Sequence, residues 1–475
     1  MTDTNNLALF SAIELLELYA ARKLSPVEAT RAALDQIAKY DDQVNAFALV
    51  DEEGALAAAR QSEERWQRGE PCGQIDGVST TIKDLLVTKG WPTRRGSQTT
   101  DAYATCMEDA PAVERLKEHG AVLLGKTTTP EFGWKGVTDN PLTGITRNPW
   151  NTNLTPGGSS GGAAVAAALG MGALHIGTDG GGSIRMPAAF TGIFGHKPSF
   201  GRVPAYPLSP FGTVAHVGPM SRTVADSALM LNVISGFDAR DWFALQDQGL
   251  DFTNTIKDGV KGLRIAYSAD LGYARVDDDV SASVAAAVQV FSDLGATVEA
   301  IDPGFEDPYE IFEAHWYTGA ANAIRDISPE NRAMMDTGLI EIAEQGEKIG
   351  LMDYMAAVNA RGALGQHMKM FHEKWDLLIT PSLSITAFEA GLEVPPNLSG
   401  GSDQKRWMEW TPFSIPFNLT QQPACSVPCG FNAHGLPIGL HIVGPMFEDA
   451  LVLRAAAAFE QARPFKMPEH PTQGP

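Results

Sequence analysis

An α/β fold on a large, at least partly parallel sheet is predicted by two features of the sequence. Short apolar runs of strand length recur at residues 78–82, 121–124, 174–176, 263–266, 297–300 and 377–379. Helical patterns lie between them, as over residues 112–118 and 280–294, and this alternation marks strands joined through helices. The composition allows a sizeable core, since 44% of the 475 residues are apolar and 20% are charged. Collagen-like, disordered and disulfide-scaffold architectures are excluded on the same grounds. Length alone suggests roughly two to four domain equivalents, although no internal repeat or Pro/Ser linker divides the chain.

The first seventy residues read as helices. In Ser25-Pro26-Val27-Glu28 the serine oxygen can accept a first-turn amide, the proline suits the opening position and the glutamate can reach back. Val27, Leu34, Ile37 and Ala38 then share one face, and a second helix is expected over residues 53–67. The 78–82 run follows and ends in Lys83. An alanine-rich helix is expected after Gly161-Gly162, and the Gly- and Pro-containing stretch 393–402 reads as a surface loop.

With 36 basic against 57 acidic side chains the net charge is −21. Such a surface does not hold nucleic acid directly, because phosphate contacts need clustered Lys and Arg. A tRNA-bound partner could still supply those contacts. No basic stretch precedes an apolar run at Met1-Thr2-Asp3-Thr4-Asn5-Asn6, so no secretory signal is expected. The longest mostly apolar stretch, 163–177, is too short for a bilayer, and a soluble cytoplasmic protein is expected. Cys72 and Cys106 are isolated, and Cys425 and Cys429 lack a second ligand pair. All four are expected as free thiols rather than a zinc site.

Several motifs match by letter alone. Gly120-Ala121-Val122-Leu123-Leu124-Gly125-Lys126-Thr127 fits a phosphate loop, but its middle is a buried-strand run with only a helix end before it. Ser402-Asp403-Gln404-Lys405 fits S-x-x-K without the companion S-D-N element. Gly157-Gly158-Ser159-Ser160-Gly161 fits a nucleophile elbow, yet the polar Asn151-Thr152-Asn153-Leu154-Thr155-Pro156 stands where a strand is required. No histidine pair has metal-ligand spacing, and His175 on its apolar strand reads as a satisfied core residue.

Three segments carry residue types that are costly unless used. They are Thr80-Thr81-Ile82-Lys83-Asp84, the turn Thr155-Pro156-Gly157-Gly158-Ser159-Ser160-Gly161-Gly162-Ala163, and Gly177-Thr178-Asp179-Gly180-Gly181-Gly182-Ser183-Ile184-Arg185. Three successive glycines between a strand and a helix imply a shape that side chains would obstruct. Their amides can converge on one anion, as an oxyanion hole requires. Ser183 follows those donors, where a nucleophile or a helix-capping serine would stand. A serine hydroxyl needs a base within reach. Lys83 can be that base only when neutral, so its ordinary pKa of about 10.4 must fall through desolvation or neighbouring positive charge.

These segments resemble the amidase signature family of serine hydrolases, in which a strand-end lysine, a G-G-S-S-G-G turn and a G-T-D-x-G-G-S-I-R run recur in this order and spacing. The similarity extends through Thr143-Gly144-Ile145-Thr146-Arg147-Asn148-Pro149-Trp150, Gly192-Ile193-Phe194-Gly195-His196-Lys197-Pro198 and Gly435-Leu436-Pro437-Ile438-Gly439-Leu440, nearly the whole chain. The resemblance implies one α/β/α domain over residues 1–475, with the segment 1–70 packed on a mixed sheet of about eleven strands. It implies a catalytic triad of Lys83, Ser159 and Ser183, with a cis peptide before Ser159. Ser183 attacks the amide carbonyl, Ser159 relays the proton to Lys83, and amides of Gly180, Gly181, Gly182 and Ser183 hold the oxyanion. Ser160, Thr178, Asp179 and Arg185 match supporting positions. Neither cofactor nor metal is implied. His441 and Gln421-Gln422 depart from the commoner glutamine and Thr-Gly, bearing on packing or substrate identity.

The expected activity is hydrolysis of a small carboxylic amide through a Ser183 acyl-enzyme, with esters and carbamates open to the same nucleophile. Phe132, Trp134, Phe211, Trp316 and Tyr317 are the candidates to line an aromatic acyl pocket. The alternative is the A subunit of a glutamyl-tRNA(Gln) amidotransferase, a glutaminase working within a complex. The expected partner is a small-molecule amide, without direct nucleic-acid or membrane contact, and a homodimer is among the allowed assemblies.

Overall fold

Ser25 starts the helix Pro26–Val44 through the reciprocal cap its sequence encodes, accepting the Val27 amide at 3.0 Å while Glu28 accepts the Ser25 amide at 2.9 Å. The structure is a computed structural model that describes residues 4–398 and 405–473. Ser11 caps the helix Ala12–Ala20 in the same way. The second expected helix spans Glu52–Arg68, closed by Gly69 in the left-handed conformation.

Thirteen strands follow in chain order among the described residues: β1 (Phe47–Val50), β2 (Ser79–Lys83), β3 (Val122–Thr127), β4 (Asp139–Asn140), β5 (Gly144–Ile145), β6 (Leu174–Asp179), β7 (Phe194–Lys197), β8 (His216–Ser221), β9 (Arg264–Tyr267), β10 (Thr297–Ala300), β11 (Leu377–Pro381), β12 (Ala424–Phe431) and β13 (Pro437–Val443). Eleven of them form one mixed sheet in the order β1-β3-β2-β6-β8-β7-β12-β13-β11-β9-β10, while β4 and β5 make a separate ribbon. Strands from residues 47 to 443 thus share one sheet. All six expected strands are present, offset by a few residues.

The first seventy residues are not all helical. Phe47–Val50 forms edge strand β1, antiparallel to β3, and its four apolar letters were too few to separate from the flanking helices. Strand β8 was also unmarked, because Gly218 and Pro219 read as breakers. Its glycine is required by close approach, since a Cβ there would stand 2.3 Å from the His196 carbonyl oxygen. The phosphate-loop lookalike is the buried strand β3. Ser402 of the S-x-x-K match lies outside the described residues, and Lys405 pairs with Asp307.

Strands β2, β3 and β6 are mutually parallel, with Thr80 opposite both Leu123 and Leu174. Their carboxyl ends therefore lie along one edge, where open α/β sheets place ligands. Between them the helix Gly161–Ala168 is buried on every side. Its small residues permit this: a Cβ on Gly162 would stand 2.5 Å from the Ala46 carbonyl oxygen. A helix apolar all round belongs inside a large core. No described helix is long and apolar enough to cross a membrane.

Candidate active site

Lys83 ends β2 and Thr178 lies near the end of the parallel neighbour β6, so sheet register alone brings them together. The turn before the buried helix adds two serines. Lys83 Nζ lies 2.6 Å from Ser159 Oγ, 2.9 Å from Ser160 Oγ and 2.9 Å from Thr178 Oγ1. Lys83 is fully buried. Burial drives its pKa well below the lysine range, and Asp179 opposes this only in part. A neutral amine offers two N–H donors and one lone pair. Ser160 Oγ–H is spent on the Thr178 carbonyl at 3.1 Å, so Ser160 accepts from the amine, and the lone pair is left to the hydroxyl of Ser159 or Thr178. The Gly158–Ser159 peptide is cis.

Asp179 organises the glycine turn. Its Oδ1 accepts the Gly182 amide at 2.8 Å and its Oδ2 the Ile184 amide at 3.1 Å. Arg185 clamps the same carboxylate through Nε at 3.0 Å and Nη2 at 2.9 Å. Burial alone would raise the Asp179 carboxyl, but Arg185, Lys197 and Asn418 hold it far below the carboxylate range. The Gly182 amide is therefore turned inward on Asp179, which removes it from the expected oxyanion donors. The amides of Gly180, Gly181 and Ser183 have no acceptor among the described residues, and Gly180 and Ser183 border a cavity that reaches the turn.

The turn is glycine for packing reasons that the sequence did not reveal. A Cβ on Gly180 would meet the Trp316 ring at 2.8 Å, and one on Gly181 would meet Trp407 at 2.7 Å and Phe312 at 2.8 Å. Ser414 Oγ donates to the Gly181 carbonyl at 2.6 Å. Arg185 extends to Asn418 Oδ1 at 2.5 Å and to His441 Nε2 at 3.0 Å. Trp407, Ser414 and Asn418 lie far along the chain and carry no local motif.

The Amidase family model matches residues 28–453. The chain belongs to the amidase signature family. It is 38% identical over 464 residues to an acylamidase of Rhodococcus erythropolis, with 97% of each chain covered. It is also 34% identical to the A subunit of the glutamyl-tRNA(Gln) amidotransferase of Ligilactobacillus salivarius, with 94% of each covered. A solved structure of a bacterial aryl acylamidase of the amidase signature enzymes superposes with a TM-score of 0.90 at 33% identity, covering 96% of both chains. The activity of this amidase is hydrolysis of amide C–N bonds.

A cavity of about 640 Å³ opens over Ser159, Thr178, Gly180 and Ser183 and is walled by Phe132, Phe211, Trp316, Tyr206 and Phe243. Three of the five expected aromatics reach it. Phe132 does so with a left-handed backbone at φ 52°, and Phe211 stacks on Trp316 at 4.0 Å between centroids. Trp134 and Tyr317 do not line it. Trp134 is wholly buried in the core, its carbonyl accepting Trp316 Nε1–H at 2.9 Å. Tyr317 follows Trp316 on the helix Tyr309–Ile324, where one step turns the side chain by about 100°. Other aromatics that border the cavity, among them Tyr206 and Phe243, carry no signal in the sequence because they sit in loops without periodicity.

No described group of three or more His, Cys, Asp or Glu side chains is placed to hold a metal. The four cysteines are free, Cys425 and Cys429 buried within β12. His175 is buried, its Nδ1 2.8 Å from Thr81 Oγ1, and burial lowers its pKa to about 3.

Proposed function

We propose that this amidase cleaves aryl or alkyl acyl amides as a free-standing enzyme, with Ser183 as nucleophile and Ser159 and Lys83 as its proton relay. The buried, carboxylate-free coordination of Lys83 by three hydroxyls carries this reading. As Ser183 Oγ bonds to the carbonyl carbon, its proton passes to Ser159 Oγ and the Ser159 proton passes to Lys83 Nζ. Amides of Gly180, Gly181 and Ser183 receive the oxyanion, a contribution worth about 3–4 kcal/mol per donor in related chemistry. The relay returns the proton to the leaving nitrogen as the C–N bond breaks. Water then attacks the Ser183 ester through the same relay reversed, releasing the acid.

The apolar, aromatic walls of the cavity favour an aryl or acyl group over the polar side chain of glutamine, in keeping with the acylamidase and aryl acylamidase relatives. This weighs against a glutaminase role within an amidotransferase complex. Four free thiols suit a reducing cytoplasmic setting.

Purified without partners or tRNA, the chain should hydrolyse acetanilide-type amides. Ser183→Ala should show no acyl-enzyme by intact-mass measurement and a kcat lower by about 10⁴-fold or more. Turnover of glutamine alone, and only with partner subunits present, would replace this proposal with the amidotransferase reading.

A further inference from the structure

Among the charged side chains that border the catalytic cavity, Arg95 differs from the rest. Asp241 is fully engaged, its two carboxylate oxygens accepting the amides of Ala205 and Phe243 at 2.9 Å each. Arg325 pairs with Asp326 at 3.3 Å at the exposed mouth. Arg95 is half-buried and borders the cavity, and its charge lies near enough to Lys126 to help lower that amine, yet its guanidinium has no hydrogen-bond, ion-pair or ring partner among the described residues. Its neighbour Arg94 is spent on structure, donating Nε–H to Thr100 Oγ1 at 3.0 Å.

The backbone fixes Arg95 in place. Its amide donates to the Asp84 carbonyl at 3.1 Å and its carbonyl accepts the Phe132 amide at 2.8 Å. The residue is left-handed, φ 54°, a conformation that Gly, Asn or Asp adopts with less strain. An arginine kept there points to a use for its side chain. The segment it is tied to reaches the catalytic serines, since a Cβ on Gly133, next to Phe132, would stand 3.5 Å from Ser159 Oγ. A guanidinium at the border of a partly enclosed cavity can bind a carboxylate through two parallel hydrogen bonds, and it does so more strongly there than in open water.

We infer that Arg95 forms an anion-recognising subsite of the catalytic cavity, selecting amides whose acyl or amine portion carries a carboxylate. This deepens, and rests on, the amidase reading of the same cavity.

Two matched substrate pairs test it on the full-length enzyme. N-succinyl- against N-butyryl-4-nitroanilide places the charge on the acyl side, and 4-acetamidobenzoate against acetanilide places it on the amine side. In at least one pair the anionic-to-neutral ratio of kcat/KM should fall about tenfold or more in Arg95→Gln, chiefly through KM, with partial recovery in Arg95→Lys. A ratio unchanged in both pairs overturns the subsite. Calorimetry on Ser183→Ala against Ser183→Ala/Arg95→Gln reads binding apart from turnover. The two anionic compounds serve as ligands, and about tenfold weaker binding of one of them in the double variant is expected. Equal affinity in the two proteins, or no binding of either anion to Ser183→Ala, overturns it. Arg95-dependent binding in an enzyme that cleaves none of the four amides would retire the acyl-amide substrate proposal while keeping the subsite.

Discussion

Two buried lysines on neighbouring strands contrast the proposed base with a brace. Lys83 on β2 and Lys126 on β3 are each within one per cent of full burial. Ile82, not Lys83, is opposite Lys126 in the parallel register, so the two amines leave opposite faces of the sheet. Lys126 meets Asp84 at 3.2 Å, the Leu86 carbonyl at 2.9 Å and Thr93 Oγ1 at 2.6 Å. Lys83 meets hydroxyls only. Burial lowers both amines, but Asp84 pulls Lys126 back toward its charged form, whereas Lys83 keeps only the distant influence of an Asp179 already claimed by Arg185. Burial alone does not make a base. Lys197 is also buried and lowered, yet it hydrogen-bonds the Gln422 carbonyl away from the cavity. The proposed role requires a neutral amine, a hydroxyl to serve and a cavity beyond it.

The sharpest way to break this contrast is Lys83→Met, which should lower kcat/KM by about 10³-fold or more. A near-normal rate would dismantle the relay. The same variant should be more thermostable at neutral pH. The folded pKa of Lys83 lies below its unfolded value, so burying the amine destabilises the folded state below the unfolded pKa; that cost fades as pH rises toward the unfolded value near about 10.4. The melting-temperature gain should therefore shrink on moving from pH 7 to pH 10. In the wild type, activity should be lost as pH falls through the lowered Lys83 pKa and held above it. A kcat/KM that shows no acid-side fall at any pH where the protein stays folded would contradict a neutral lysine base.

Lys126→Met probes the other lysine. Removing the cation leaves Asp84, 2% exposed, buried without its partner, which should cost about 3–5 kcal/mol of stability in urea unfolding. A loss under about 1 kcal/mol would show that Lys126 is not the brace its contacts describe.

Much of this contrast was readable in the letters, and the unreadable part has a physical cause. Lys83, Ser159 and Ser183 stood in three local motifs, each short enough for a turn and a strand end to impose its own spacing. The supports of the glycine turn did not: Phe312, Trp407, Ser414 and Asn418 act through packing across more than a hundred residues, and each looks ordinary among its chain neighbours. The edge strand β1 and the Gly-Pro strand β8 were hidden because tertiary pairing overrode weak local preference. The expectation that four glycine-turn amides all serve an oxyanion failed at Gly182, because Asp179 claims that amide and sequence cannot tell a donor turned inward from one turned out.

The smallest expected effect concerns His441, which departs from the commoner glutamine. Arg185 Nη1 can only donate, so His441 Nε2 must be the acceptor in their 3.0 Å contact. The ring proton then sits on Nδ1, facing Thr380 Oγ1 at 3.3 Å. Burial, reinforced by Arg185, holds the ring well below the usual histidine range, so it stays neutral and carries no pH response of its own. A glutamine can reproduce both bonds, its Oε1 accepting from Arg185 and its amide donating to Thr380. His441→Gln should therefore shift stability by less than about 1 kcal/mol and leave the shape of the pH–rate profile unchanged. His441→Leu should cost about 1–3 kcal/mol by stranding a buried Arg185 donor. A pH profile that changes shape in His441→Gln would mean the imidazole titrates during turnover, and the base would then have to be shared between Lys83 and a second group behind the oxyanion turn.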